Sequence, residues 1–265
     1  MKTENSTQNP TAGRPLAGLC VLVTRPGDQS HELGERLCAL GAKVLQQPGV
    51  IVCDPPDWNS VDAALARLAE FDWLVFSSTN GVRYFLDRLR RLGGRPEQLS
   101  GVRLAAIGPG TAAELARYGL RAELVPEQFR AESLAAALAA DAPGRRFLLA
   151  RASRGRNILP EQLAAAGGHV EQVVVYSTHD VAAADPAVTA ALLAGQIDWV
   201  TVTSSAIARA IVGLFGQGLR KSRLASISPL TSGVLRELGY EPAAEAQSYT
   251  MDGLVAAIVA APGRD

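Results

Sequence analysis

Asp72-Trp73-Leu74-Val75-Phe76-Ser77-Ser78 returns 126 residues later as Asp198-Trp199-Val200-Thr201-Val202-Thr203-Ser204. Each copy is a short apolar run, tryptophan at its start, that ends in consecutive hydroxyl-bearing or small polar residues. An apolar run of this length suits a buried strand, and a Ser or Thr at its end suits the N-cap of a following helix. The match extends outward from this stretch. Upstream at the same offset, Arg25 falls on Arg151, Leu37 on Leu163, Gly41 on Gly167 and Val44 on Val170. Downstream the offset is 120: Ile107 meets Ile227, Pro109 meets Pro229, Thr111 meets Thr231, Leu115 meets Leu235, Gly119 meets Gly239 and Leu134 meets Leu254. The second copy is therefore six residues shorter (126 − 120) in one connection. A colinear series with a single length change marks a duplicated half. Its period far exceeds the roughly 20–50 residues of a solenoid repeat, so the copies are two domain-sized units.

Within each copy, apolar strands of four to six residues alternate with helical patterns. Residues 19–24, 73–76, 104–107 and 147–150 read as strands. Residues 30–40, 60–69, 81–91, 111–118, 131–140 and 252–261 read as helices, the first with Leu33, Leu37 and Leu40 on one side and Gly41 placed to end it. Residues 43–52 read as extended, interrupted by Pro48 and Gly49, which suits an edge or connecting ribbon. This alternation predicts an α/β fold with parallel sheets covered on both faces. In such sheets ligands gather at the carboxyl ends of strands, beside helix N-termini.

The chain has 265 residues, of which 48% are hydrophobic, and 26 basic side chains balance 26 acidic ones. Two domains fit that length, and a net charge of zero argues against a broad nucleic-acid surface. Three cysteines, Cys20, Cys38 and Cys53, lack paired spacing, so neither a disulfide framework nor a zinc site is expected. His31, His169 and His179 do not cluster at metal spacing. The polar start, residues 1–17, reads as a disordered tail rather than a signal peptide. No apolar run approaches the roughly 18–20 residues of a membrane helix. The expectation is a cytoplasmic protein, monomeric for want of an apolar association stripe.

Chemistry is then sought in the turns. Ser77-Ser78-Thr79-Asn80-Gly81 follows one strand and Thr203-Ser204-Ser205 its counterpart. One hydroxyl serves as a cap; the remainder can serve as caps or bind a carboxylate or phosphate. Gly108-Pro109-Gly110-Thr111 and Ser228-Pro229-Leu230-Thr231 form the second pair, with the same two readings for their threonines. Neither is a P-loop or a GxGxxG fingerprint, so no nucleotide is expected. No Gly-x-Ser-x-Gly elbow appears. Tyr176 ends the apolar run Val173-Val174-Val175 where the two copies join; it reads either as a packed strand tyrosine or as a proton donor.

Taken in order, these stretches resemble the uroporphyrinogen-III synthase family. The resemblance rests on Val23-Thr24-Arg25-Pro26, residues 72–82, 106–119, 125–126 with 131–134, 157–176, 198–205, 227–239 and 248–255, and runs from about Gly18 onward. It implies two similar α/β domains joined by a two-stranded β-ribbon, with the chain crossing twice. Residues 18–47 with 178–265 would form one domain and 55–174 the other, with 48–54 and 173–177 as the ribbon. It implies a cofactor-free lyase that closes a linear hydroxymethyl tetrapyrrole in the cleft between the domains, with loss of water and inversion of the last ring. By resemblance Tyr176 is the candidate acid. Thr111, Thr231, Ser78, Asn80, Ser204, Ser205, Arg25, Arg151, Arg156 and Arg223 are candidate substrate contacts, no metal is involved, and hydroxymethylbilane synthase could hand over the substrate. Ser228 departs from the family's usual glycine, and Asn80 from an arginine found in some members. The competing reading is a non-catalytic two-lobed protein that binds an anion or a tetrapyrrole.

Overall fold

The computed structural model describes residues 13–262. Two five-stranded sheets organise the chain, with ten strands and ten α-helices among the described residues. The strands are β1 (Cys20–Val23), β2 (Lys43–Gln46), β3 (Val50–Cys53), β4 (Trp73–Phe76), β5 (Arg103–Ala106), β6 (Arg146–Ala152), β7 (His169–Asp180), β8 (Trp199–Val202), β9 (Arg223–Ser226) and β10 (Ala244–Glu245). The helices are α1 (Asp28–Ala39), α2 (Asn59–Leu65), α3 (Thr79–Arg91), α4 (Pro109–Arg117), α5 (Ala131–Ala139), α6 (Ile158–Ala165), α7 (Pro186–Leu193), α8 (Ser205–Phe215), α9 (Pro229–Glu237) and α10 (Met251–Ala260).

Contacts divide the chain into two units. Unit 1 runs through Ile51 and resumes at His179; unit 2 is Val52–Thr178. The sheet orders are β10-β9-β8-β1-β2 and β3-β7-β6-β4-β5. In unit 1, β1 pairs with β2 and β8, and β9 with β8 and β10, all parallel. In unit 2, β4 pairs with β5 and β6, and β6 with β7, again parallel. The division points fall inside β3 and β7, which are neighbours in the second sheet.

Side-chain alternation along the central strands explains why both sheet faces are covered. On β4, Leu74 and Phe76 join one apolar cluster while Trp73 and Val75 join another. On β1, Leu22 belongs to one cluster and Val21 and Val23 to the other. A strand apolar on both faces must be covered by helices on both sides, which is what parallel connections provide. Each parallel sheet also places the carboxyl ends of its strands, and the helix N-termini that follow, on one side.

The expectation of a disordered tail through residue 17 is corrected for its last residues. Leu16 is buried in the cluster of Val21, Val23 and Leu33, and its N–H donates to the Leu40 carbonyl at 3.0 Å. A single leucine with a pocket outweighs the polar composition around it. The rest of that tail, residues 1–12, lies outside the described residues.

Candidate functional site

In unit 2, β4 ends at Phe76 and the chain enters α3 through Ser78, whose backbone is extended. The Ser78 hydroxyl caps the helix by accepting the Gly81 N–H at 2.9 Å. Glycine suits position 81, where a Cβ would stand 3.1 Å from the Ala150 carbonyl oxygen on neighbouring β6, a tight approach. The cap has a second partner: the Ser78 and Tyr176 hydroxyls lie 3.0 Å apart and share a hydrogen bond. Tyr176 is only 7% exposed, and its ring lies 5.6 Å from that of Tyr84, centroid to centroid. Burial pushes the Tyr176 phenol above the ordinary tyrosine value, and the Ser78 hydrogen bond pulls it part of the way back. Tyr176 therefore stays protonated across the physiological range. Asn80 lies half-buried in the first turn of α3.

One strand along, β5 leads into α4 through Gly108, which has no side chain to cap with. Phe129 packs against it: a Cβ at 108 would be 3.1 Å from the Phe129 Cβ. Thr111, in the first turn of α4, is 5% exposed, and among the described residues its hydroxyl has no hydrogen-bond partner. Ser78, Asn80, Thr111 and Tyr176 thus belong to the same unit, and their turns lie on the carboxyl side of its sheet.

Unit 1 repeats the arrangement with different caps. Ser204 caps α8, accepting the Ile207 N–H at 3.2 Å, and Ser205 is the first helical residue. Ser228 caps α9 where unit 2 has Gly108, and its hydroxyl lies 3.2 Å from that of Thr231, which is buried. Arg25, beyond the end of β1, donates to the Met251 sulfur at 2.8 Å. Ser204, Ser205, Thr231 and Arg25 are accordingly all at the carboxyl side of the unit 1 sheet.

The remaining arginines part company. Arg151, at the end of β6, donates to the Ala152 and Gly155 carbonyls, to Asn157 Oδ1 at 2.8 Å and to Gln172 Oε1 at 2.6 Å, so it braces the loop that follows its strand. Arg156, in that loop, is paired with Glu132 at the start of α5, and the pair holds the Glu132 carboxyl below its ordinary range. Arg223 is a correction. It is the first residue of β9, in register with Trp199 at the start of β8, and so stands at the amino side of the sheet, opposite the hydroxyl-bearing turns. It lies over the Trp199 ring at 4.1 Å and donates to the Pro262 carbonyl at 2.6 Å. Arg103 over Trp73 at 4.0 Å repeats the contact in unit 2, which marks a structural element common to both copies.

Two features of unit 2 were missed by the sequence reading. Tyr84 packs on Tyr176, and Glu114 is buried against Arg83. The second was detectable: at offset 120 Glu114 falls on Val234, a charge where its sister position is apolar. Among the described residues, no group of three or more His, Cys, Asp or Glu could hold a metal ion, and no helix is long and apolar enough to cross a membrane.

What the unit 2 turns offer is a neutral phenol with a hydroxyl partner, beside two helix N-termini. A helix N-terminus carries partial positive charge and directs N–H groups outward, so it favours carboxylates. Comparison with known proteins gives this chemistry a context. Residues 31–256 match the family described as "Uroporphyrinogen-III synthase HemD". The uroporphyrinogen-III synthase of Synechococcus elongatus is 32% identical over 258 residues, spanning 93% of this chain and 97% of that protein. That of Chlorobaculum parvum is 30% identical over 226 residues, spanning 83% and 89%. Among solved structures, a mutant uroporphyrinogen III synthase from Thermus thermophilus aligns with a TM-score of 0.61 at 19% identity, over 91% of this chain and 97% of that one. The Helicobacter pylori uroporphyrinogen-III synthetase aligns at 0.59 and 18% identity, over 90% and 97%. These two likenesses concern the fold.

Proposed function

The chain belongs to the uroporphyrinogen-III synthase family, and from that premise we propose how its own residues serve the reaction. It is a cyclising lyase. Hydroxymethylbilane, a linear tetrapyrrole, loses water and closes to uroporphyrinogen III with its last ring inverted. The first step needs a proton on the departing hydroxyl. Tyr176 supplies it: the phenol O–H bond breaks, the hydroxymethyl C–O bond breaks, water leaves, and the terminal pyrrole becomes an azafulvene cation. The phenolate is stabilised by the Ser78 hydroxyl 3.0 Å away and by the cation formed beside it. The cation then closes through a spiro intermediate, and the proton released when the ring regains its aromaticity returns to the phenolate. The single observation that carries this reading is the buried Tyr176 hydroxyl bonded to a helix cap.

The substrate carries many carboxylates, and the chain has no net charge with which to attract them. Helix N-termini meet that need locally. We assign Thr111, Ser78 and Asn80 in unit 2, and Thr231, Ser204, Ser205 and Arg25 in unit 1, to substrate contact. Arg151 and Arg156 shape the loop beside the end of β6. Positioning of the reacting ring supplies much of the acceleration.

Further readings follow the family resemblance. Residues 18–47 with 178–265, and 55–174, are the two domains. The neighbouring strands β3 and β7 are the ribbon through which the chain crosses, supported by the division points at 51/52 and 178/179. The protein works as a cytoplasmic monomer, without cofactor, and takes its substrate from hydroxymethylbilane synthase.

The test is direct. Purified protein is mixed with fresh hydroxymethylbilane and the porphyrin isomers are resolved after oxidation. Type III product is expected, with turnover of Tyr176→Phe lowered by about 100-fold, the low end of general-acid contributions. Unchanged turnover in Tyr176→Phe sinks the role of the phenol. Type I product alone from the unmodified chain sinks the enzymatic reading and favours a non-catalytic tetrapyrrole binder.

A further inference from the structure

We propose that Arg83, held by the buried carboxylate of Glu114, receives a substrate carboxylate at the carboxyl side of the unit 2 sheet, with Glu114 as its positioning residue; this deepens the reading above and rests on it. Arg83 is on α3 and Glu114 on α4. Arg83 Nε donates to Glu114 Oε1 at 2.7 Å and a terminal nitrogen donates to Oε2 at 3.3 Å, a two-pronged pairing that fixes the guanidinium plane. Arg117 adds a third contact to Oε2 at 3.1 Å. Arg83 and Arg117 thus both contact the one carboxylate of Glu114, two positive charges to one negative within this trio. Glu114 is 6% exposed, whereas glutamate is almost never buried unless paired.

Position decides what this charge can do. Long side chains on a helix lean toward its N-terminus, over the preceding turn. Arg83 and Glu114 therefore meet over the first turns of α3 and α4, at the level of Asn80 and Thr111. Thr111 and Glu114, three apart, share a helix face, and both residues are buried. The other charges along this helix pair are engaged one turn further on, where the Tyr118 hydroxyl donates to Asp87 at 3.0 Å and Arg90 lies over the Tyr118 ring.

The sister unit shows that packing does not demand the pair. At the repeat offsets, Glu114 corresponds to Val234 and Arg83 to Arg209. Val234 is buried in the apolar core of unit 1. Arg209 is more than half exposed and pairs with exposed Glu237 at 3.6 Å. Apolar replacement of a buried ion pair is often neutral or stabilising, and unit 1 does without the buried carboxylate, with Val234 in its place. The ion pair persists in the unit that holds Tyr176, on the helix that Ser78 caps. A fixed cation there meets the needs of a polycarboxylate.

The double variant Arg83→Met/Glu114→Val removes both members of the pair and leaves no orphaned buried charge, whereas unit 1 has arginine opposite valine. Glu114→Val alone keeps the cation but frees it from its anchor. KM, kcat and the type III share are measured with hydroxymethylbilane, alongside circular dichroism. The double variant is expected to fold and to raise KM by at least about tenfold, the size of one charge-assisted contact. Its kcat should stay within about twofold, the signature of lost uniform binding. Glu114→Val should raise KM by a smaller factor. A folded double variant with unchanged KM overturns the proposal while the type III reaction stands. A double variant that cannot fold also overturns it, because the pair would then belong to the fold. Unchanged KM in Glu114→Val alone overturns the positioning role. Type I product from the unmodified chain overturns the functional reading and this one with it.

Discussion

Replacing Ser78 by alanine should cost unit 2 far more than the equivalent Ser204→Ala costs unit 1. The Ser78 hydroxyl accepts the Gly81 N–H at 2.9 Å and bonds the Tyr176 hydroxyl at 3.0 Å. Loss of an N-cap costs about 1 kcal/mol. Leaving the buried phenol without a partner adds about 1–3 kcal/mol, for a total of about 2–4 kcal/mol. Among the described residues Ser204 accepts only the Ile207 N–H, at 3.2 Å, so its replacement should cost about 1 kcal/mol. In a Tyr176→Phe background no phenol remains to be orphaned, and Ser78→Ala should then cost about 1 kcal/mol as well. Urea unfolding of the four chains of this cycle, with Ser204→Ala beside them, measures the difference. With Trp58 and Trp73 in unit 2 and Trp199 in unit 1, tryptophan fluorescence reports on both halves, and a Trp199→Phe background isolates the unit 2 signal. Equal costs for the two serines, or a Ser78–Tyr176 coupling below about 0.3 kcal/mol, would refute the reasoning.

Gly213→Ala, inside α8 with nothing within 4 Å of the new Cβ, should stabilise the chain by about 0.5–1 kcal/mol in the same urea assay. Gly253→Ala, in the first turn of α10, sets a Cβ 2.0 Å from the Ser248 carbonyl oxygen, and the forced backbone shift should cost about 1–3 kcal/mol. Arg223→Met should lower stability by about 0.5–1 kcal/mol through loss of its contact with Trp199, while KM for hydroxymethylbilane stays unchanged; a raised KM would restore Arg223 to the site. Burial lifts the Tyr176 phenol above 10.0 in the folded chain. Its contribution to stability is therefore complete below that pH and lost as pH rises through the lifted value. Rate measurements on the alkaline side should show no loss of kcat assignable to Tyr176 below about pH 9, and an inflection there that vanishes in Tyr176→Phe would contradict this.

The duplication was visible in the sequence because strand ends and helix starts tolerate few residue types, whether through burial, as at Trp73 and Thr111, or through the backbone of a first helical turn, as at exposed Pro109. Trp73 and Trp199, Pro109 and Pro229, and Thr111 and Thr231 occupy matched places in matched elements. The length change also has a structural location: α3 has 13 residues and α8 has 11, and the rest of the difference lies in the connections to β5 and β9. Arg223 misled because a residue beside a strand can stand at either end of it, and only the register with Trp199 shows which. Ser78 could be expected to cap α3, but its bond to Tyr176 joins residues 98 apart in sequence. No local pattern encodes such a contact. The burial of Glu114 was legible only through its repeat partner Val234, since an acidic residue on a helix taken by itself reads as solvated until a facing helix supplies its partner.

The order of the chain imposes a timetable on synthesis. β1 is among the first strands made, yet its neighbour β8 follows much later: the Cys20 N–H is bonded by Asp198, 178 residues downstream. At about 5–20 residues per second on the ribosome, that interval is on the order of 10–35 s, whereas small elements form in microseconds. Unit 2 is contiguous and emerges whole within the gap. It can complete its sheet while β1 and β2 still lack the strands that flank and bury them. The nascent polypeptide therefore carries β1 and β2 as an unfinished sheet until β8 and β9 have been made, and the apolar strand Cys20–Val23 is what a chaperone would have to shield in the meantime.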